Sequence, residues 1–161
     1  MRISITLFIL FIWCTTYGQP AAIYDPNADA SATISQGIKR AKLENKEVFL
    51  QIGGNWCPWC LKFHKLWSED PEIKAAMGKN YITILVNYSK ENRNLKTLKT
   101  LDYPQRFGFP VFVILDANGK RLHTQNSAYL EEGDGYSKKK VIDFLNQWSS
   151  EALNPANFKE K

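Results

Sequence analysis

Apolar residues recur along this chain with two periods. Ile34, Ile38, Ala41 and Leu43 stand three or four residues apart and predict a first helix over 29–43, which Glu44-Asn45-Lys46 ends. Residues 47–52 form a short, nearly continuous apolar run, the pattern of a strand buried on both faces, closed by Gly53-Gly54. A second helix is predicted to start at Pro58, a first-turn position where a missing N–H is harmless, and to reach about Trp67. Cys60, Phe63, His64 and Trp67 share one face of it. Asp70-Pro71 is a fresh start signal, with Ile73, Ala76 and Met77 as an apolar stripe and Gly78 as a stop. Residues 81–88, rich in β-branched side chains, predict another strand. In the polar stretch 89–107, Leu95, Leu98 and Leu101 suggest one amphipathic helix. Residues 110–115, the Asn118-Gly119 signal and residues 121–125 read as a β-hairpin. A last helix over 137–149 carries Val141, Phe144, Leu145 and Trp148 on one side. The order α, β, α, α, β, α, β, β, α implies an α/β fold with a mixed central sheet covered by helices on both faces.

The ends read differently. Met1-Arg2, the apolar stretch 3–13 and Thr16-Tyr17-Gly18 have the build of a secretory signal cut after Gly18. Its apolar core falls short of the roughly 20 residues that span a bilayer, so no stable membrane insertion is expected after cleavage. Lipidation of Cys14 would need small residues where Ile12-Trp13 stand. The expected organisation is a signal peptide over 1–18, a flexible arm over 19–28, one domain over 29–150 and a tail over 151–161. The protein is then exported, to a periplasm or the outside.

The net charge of +5 is modest for 161 residues. Lys90, Arg93, Lys96, Lys99 and the lysines at 138–140 occupy polar positions of helical segments without an interleaved stacking surface, which reads as solvated faces and excludes a nucleic-acid partner.

Loss of the leader removes Cys14 and leaves Cys57 and Cys60 as the only thiols. Two cysteines separated by two residues at a strand-to-helix junction can make and break a disulfide reversibly. So short a loop constrains little of the unfolded chain, which leaves stability a poor reason for the pair. Cys57, at the helix start, lies near unpaired N–H groups and the positive end of the macrodipole, as a nucleophile needs, and Cys60 one turn further is placed to resolve a mixed disulfide. Two other readings stand beside this one. Cys57, Cys60 and His64 offer copper or zinc two sulfurs and an imidazole, although a fourth ligand is missing. Alternatively, the chain is a non-catalytic folding partner that binds polypeptide through Trp56, Trp59, Phe107 and Phe109, of which Trp59 is the better candidate for exposure. Haem attachment would require His where Leu61 stands, and no cofactor is expected. His64 fits packing at a helix edge, and His123 has no evident site around it.

Trp56-Cys57-Pro58-Trp59-Cys60 after a buried strand, Gly108-Phe109-Pro110 before a hairpin strand, and Asp116-Ala117-Asn118-Gly119-Lys120 as its turn resemble the thioredoxin superfamily over about 31–148. Trp67-Ser68-Glu69-Asp70-Pro71-Glu72-Ile73 and Asn80-Tyr81-Ile82 are similar to its exported members, the C-terminal domain of DsbD-type reductases and the anterior-gradient relatives. The resemblance implies a thioredoxin fold and a monomeric protein disulfide oxidoreductase that acts on protein thiols and disulfides and exchanges electrons with an upstream redox partner. It implies further that Pro110 is cis and faces the cysteine pair across a substrate groove; Trp56, Trp59 and Phe109 are expected to crowd that edge as an apolar docking surface. Two departures stand out. Gln51 occupies the position where many members carry a buried aspartate that helps deprotonate the resolving cysteine, and an amide is no base; water, Glu69 or His64 are the substitutes to hand. Phe109 is larger than the residue often found before the proline, and Pro58-Trp59 does not set the direction of exchange.

Overall fold

The computed structural model describes residues 22–158, so the expected signal peptide and Cys14 lie outside the described residues. Asp29 caps the first helix, α1 (Ala30–Glu44), by accepting from the N–H groups of Ser31 and Ala32. Ala30, Ile34 and Ala41 turn inward, whereas Leu43 faces solvent. Strand β1 (Glu47–Gly53) follows, buried throughout.

Asp70 ends α2 (Pro58–Glu69) and its side chain caps α3 (Pro71–Asn80), as its sequence signal requires. Gly78 does not stop α3, which runs two residues further into β2 (Tyr81–Asn87). A glycine weakens a helix by only about 1 kcal/mol, and buried Met77 and Asn80 hold the last turn. The single helix expected in 89–107 divides into α4 (Leu95–Thr100) and a 3-10 turn, Pro104–Phe107. Asp102 and Tyr103 adopt positive φ between them, and of the three leucines only Leu98 and Leu101 are buried. Strands β3 (Val111–Leu115) and β4 (Arg121–Asn126) form the expected hairpin, its turn held by Asp116, whose side chain accepts from the N–H groups of Asn118 and Lys120. Between β4 and α5 (Lys138–Gln147) lies an unexpected insert, the 3-10 turn Ser127–Leu130 and a small hairpin of β5 (Glu131–Glu132) and β6 (Gly135–Tyr136). Its strands are two residues each, too short for a period to show.

The main sheet has the order β2-β1-β3-β4, with β1 parallel to β2 and antiparallel to β3. Alternation along the strands separates two cores. Val48, Leu50 and Ile52 join Ile84, Val86 and Val113 under α1 and α4. Phe49 on the opposite face joins Phe63, Ile73, Phe112, Ile114 and Phe144 under α2, α3 and α5. Its ring lies 5.4 Å from Phe112 and 6.1 Å from Phe63. Among the described residues, no helix is long and apolar enough to cross a membrane.

Glu47 opens β1 at the end of the sheet away from the cysteines. It is buried, its Oε2 has no hydrogen-bond partner among the described residues, and burial, reinforced by the charge of Asp116, raises its carboxyl from 4.5 to about 7. A proton held more tightly by the folded state stabilises fully below pH 4.5, and that contribution is lost as the pH rises through about 7. Glu47→Gln is therefore expected to be more stable than the wild type at about pH 8 and to lose most of the slope between those two values, which urea midpoints across the range would measure.

Candidate active site

β1 delivers the chain to the cysteines through two close approaches. A Cβ at Gly53 would stand 2.4 Å from the Sγ of Cys60, and one at Gly54 would stand 2.7 Å from the backbone oxygen of Tyr88, so neither position accepts a side chain without displacement. The Cys57 N–H donates to the Gly54 carbonyl, and Pro58 begins α2. Cys57 is thus the N-cap residue, with extended φ of −101°. Its sulfur accepts from the Cys60 N–H at 3.2 Å, in the place where a serine or aspartate oxygen ordinarily caps a helix. The two sulfurs are joined as a disulfide across a Cα separation of 5.2 Å. Cys60 is wholly buried and Cys57 only 3 % exposed.

The Phe109-Pro110 peptide bond is cis. Val111 pairs with Ile52, which sets Pro110 at the cysteine end of β1. Phe109 packs against the cysteine pair, and its ring also meets Trp56 edge-on at 5.5 Å and Tyr88 at 4.7 Å. The two tryptophans of the motif then exchange the expected roles. Trp56 is 56 % exposed, with its indole N–H donating to the Tyr88 carbonyl, and it walls a cleft of about 520 Å³ shared with Asn55, Tyr88, Lys90 and Arg93. Trp59 is half-buried, because the insert covers it: Tyr136 meets its ring edge-on at 5.5 Å and donates its O–H to the Trp59 carbonyl. Lys62, paired with Asp134 on the same insert, lies 4.8 Å over that ring. Phe107 stays outside the core at 39 % exposure, beneath Arg106.

Behind the disulfide lies a buried polar centre. Gln51 is fully buried on the α2 side of β1; its Nε2 donates to the Cys60 carbonyl at 3.0 Å and to the Tyr24 hydroxyl at 2.7 Å, and its Oε1 accepts from the Trp67 indole at 3.0 Å. Tyr24 belongs to the stretch expected to be a flexible arm, yet it is 1 % exposed and packs on Cys57 and Cys60. Asn55 holds it there: its Oδ1 accepts from the N–H groups of Ile23 and Tyr24, and its Nδ2 donates to the Tyr24 carbonyl. Sequence reasoning missed both Tyr24 and Asn55; the one available signal was an Ile23-Tyr24 apolar pair in an otherwise small and polar segment.

The suggested substitutes for a buried carboxylate are not assembled. Glu69 is exposed at the far end of α2, nine residues and about 13 Å of helix beyond Cys60. His64 turns to Trp67 at 4.9 Å, and burial lowers its pKa. Among the described residues, no group of three or more His, Cys, Asp or Glu side chains is arranged to hold a metal ion, so the arrangement does not supply the Cys57, Cys60 and His64 ligand set. His123 stacks on Trp148 at 4.3 Å instead of joining the site.

Helical layers on both faces of a β2-β1-β3-β4 sheet, with the cysteines opening α2 beside a cis proline, make this a thioredoxin fold. A family model described as thioredoxin-like matches residues 29–117, more than half of the chain, and the chain belongs to that family. The disulfide bond reductase DsbH of Chlamydia pneumoniae is 24 % identical over 94 residues, a match covering 55 % of this chain and 57 % of that protein. Among solved structures, a disulphide isomerase from Xylella fastidiosa Temecula1 superposes with a TM-score of 0.69 at 24 % identity, over 78 % of this chain and 95 % of the other. The oxidised C-terminal domain of Neisseria meningitidis DsbD gives 0.54 at 21 % identity, over 74 % and 96 %.

Gly53→Ala tests the close approach behind Cys60. Overpacking at a rigid backbone position is expected to destabilise the oxidised protein by about 1–3 kcal/mol. A smaller loss is expected for the reduced protein, in which the sulfur is free to move, and denaturant titrations of both forms measure the difference.

Proposed function

We propose that the protein is an exported thiol-disulfide oxidoreductase that exchanges disulfides with protein substrates through Cys57 and Cys60. The carrying observation is the placement of the Cys57 sulfur at the N-cap of α2, bonded to Cys60 and receiving the Cys60 N–H. In the reduced form the same N–H and the helix dipole favour a Cys57 thiolate, whose pKa falls below the free value of about 8.5. That thiolate attacks a substrate disulfide, giving a mixed disulfide, and Cys60 attacks Cys57 to release the reduced substrate. The resulting Cys57-Cys60 disulfide is reduced again by an upstream dithiol partner. The DsbH relative is a disulfide bond reductase, and we take the same direction for this chain.

Trp56, Phe109 and Pro110 form the substrate side of the site. Phe109 lies just outside the β3 ladder, where its backbone is available to an extended polypeptide, and exposed Trp56 offers an apolar face next to it. Trp59 is held differently, as a side chain packed by Tyr136 and Lys62. We take residues 1–18 as a removed signal, the protein as a monomer, and its substrates as exported proteins.

Cys57→Ser should abolish insulin reduction with dithiothreitol, whereas Cys60→Ser should still attack and accumulate the mixed disulfide. Faster alkylation of Cys60 than of Cys57 near neutral pH would reverse the two roles. Equilibration with glutathione buffers tests direction: a reductase should lie near −270 mV, and a value near −120 mV would make the protein an oxidant.

A further inference from the structure

The proposed exchange requires Cys60 to become a thiolate while wholly buried, where a negative charge without a donor is costly. Gln51 cannot supply that donor. The Trp67 indole can only donate and the Cys60 carbonyl can only accept, so these two partners fix the orientation of the amide. Both hydrogens of its Nε2 are then engaged, one by the Cys60 carbonyl and one by the Tyr24 oxygen. Tyr24 is therefore an acceptor toward Gln51, and its own hydrogen is not used in that bond. Its oxygen and the Cys60 Sγ lie 3.0 and 2.4 Å from the same point, the position that a Cβ on Gly53 would occupy. The two atoms are therefore no more than about 5.4 Å apart, beside the bare backbone of Gly53.

Resting on the disulfide-exchange reading above, we propose that the Tyr24 hydroxyl is the hydrogen-bond donor that stabilises the Cys60 thiolate during the resolving step. Gln51 and Asn55 are positioning residues, the first orienting the hydroxyl and the second latching the arm that carries it. Burial keeps the phenol far above its ordinary pKa, so Tyr24 remains protonated and donates a hydrogen bond without acting as a base. The Cys60 thiol gives its proton to solvent, and its thiolate attacks the Cys57 sulfur. The Cys57–Cys60 bond forms as the bond from Cys57 to the substrate breaks. The substrate sulfur leaves with the electron pair and takes up a proton, so two electrons pass from the protein dithiol to the substrate disulfide. Other titratable groups around this corner include Cys57, His64 one turn along α2, Tyr136 packed on Phe63, Tyr88 packed on Phe109 and Lys62 over the Trp59 ring. None of them is altered in the test.

The test is stopped-flow reaction of the reduced full-length chain, in a Cys14→Ser background, with Ellman's reagent. The first thionitrobenzoate released reports attack by Cys57, and the second reports attack by Cys60 on the mixed disulfide. Tyr24→Phe keeps the ring and removes the donor. It should slow the second phase about tenfold, the scale of one lost hydrogen bond to a charged group, and raise the apparent pKa of that phase by about one unit while the first phase is unchanged. Replacing Tyr24 by 3-fluorotyrosine, a stronger donor, should shift the second phase the opposite way. An unchanged second phase in Tyr24→Phe, or equal slowing of both phases through a loosened arm, would overturn the proposal. Absence of any second phase in the parent protein would instead sink the exchange reading itself.

Discussion

The amide of Gln51 holds the active end of this molecule together. It is a fully buried polar side chain whose Nε2 and Oε1 both have partners, in two segments apart in sequence: Tyr24 before α1, and α2, which offers the Cys60 carbonyl in its first turn and the Trp67 indole two turns later. An unpaired buried amide would destabilise the fold by about 1–3 kcal/mol, whereas one with these bonds ties strand, helix and arm at a single point. The start of α2 is thereby held against β1, and with it Cys57 at the N-cap and Cys60 behind it.

A neutral centre also changes the electrostatics of the cysteine pair. A carboxylate there would repel a Cys60 thiolate while offering to take its proton; the amide does neither. What remains is orientation: a carbonyl facing Trp67, two hydrogens committed, and a tyrosine oxygen kept beside Gly53. On the outer side, the two tryptophans of the motif are held differently. Trp56 is more than half exposed and is held by one indole hydrogen bond and an edge-on contact with Phe109, while Trp59 is packed by Tyr136 and by a lysine itself held to Asp134.

Much of the fold was legible because it rests on short-range rules. Asp70-Pro71 and Asp116 to Gly119 act on N–H groups within a few residues, and they cap or turn the chain where expected. The apolar run 47–52 marked β1 as a strand buried on both faces, and in the structure Phe49 faces one core while Val48, Leu50 and Ile52 face the other. Local rules misled where tertiary packing outweighed them. Gly78 was overridden by the buried neighbours of its helix, Leu95 matched a helical period that ended after one and a half turns, and the insert after β4 was too short for any period to appear.

The sequence by itself determined the chemistry-bearing pair, its strand-to-helix setting and the layered α/β architecture, since these follow from residue types and spacings that act locally. Only the tertiary structure decided that Tyr24 packs on the cysteine pair, that Trp56 is the more exposed of the two tryptophans in the motif, and that His64 packs on Trp67 while Glu69 lies exposed at the far end of α2. The first two depend on contacts between residues remote in the chain, such as Asn55 with Tyr24 and Tyr136 with Trp59. A lone aromatic in an aperiodic segment carries no mark of the partner that will bury it, and only the folded chain brings that partner within reach.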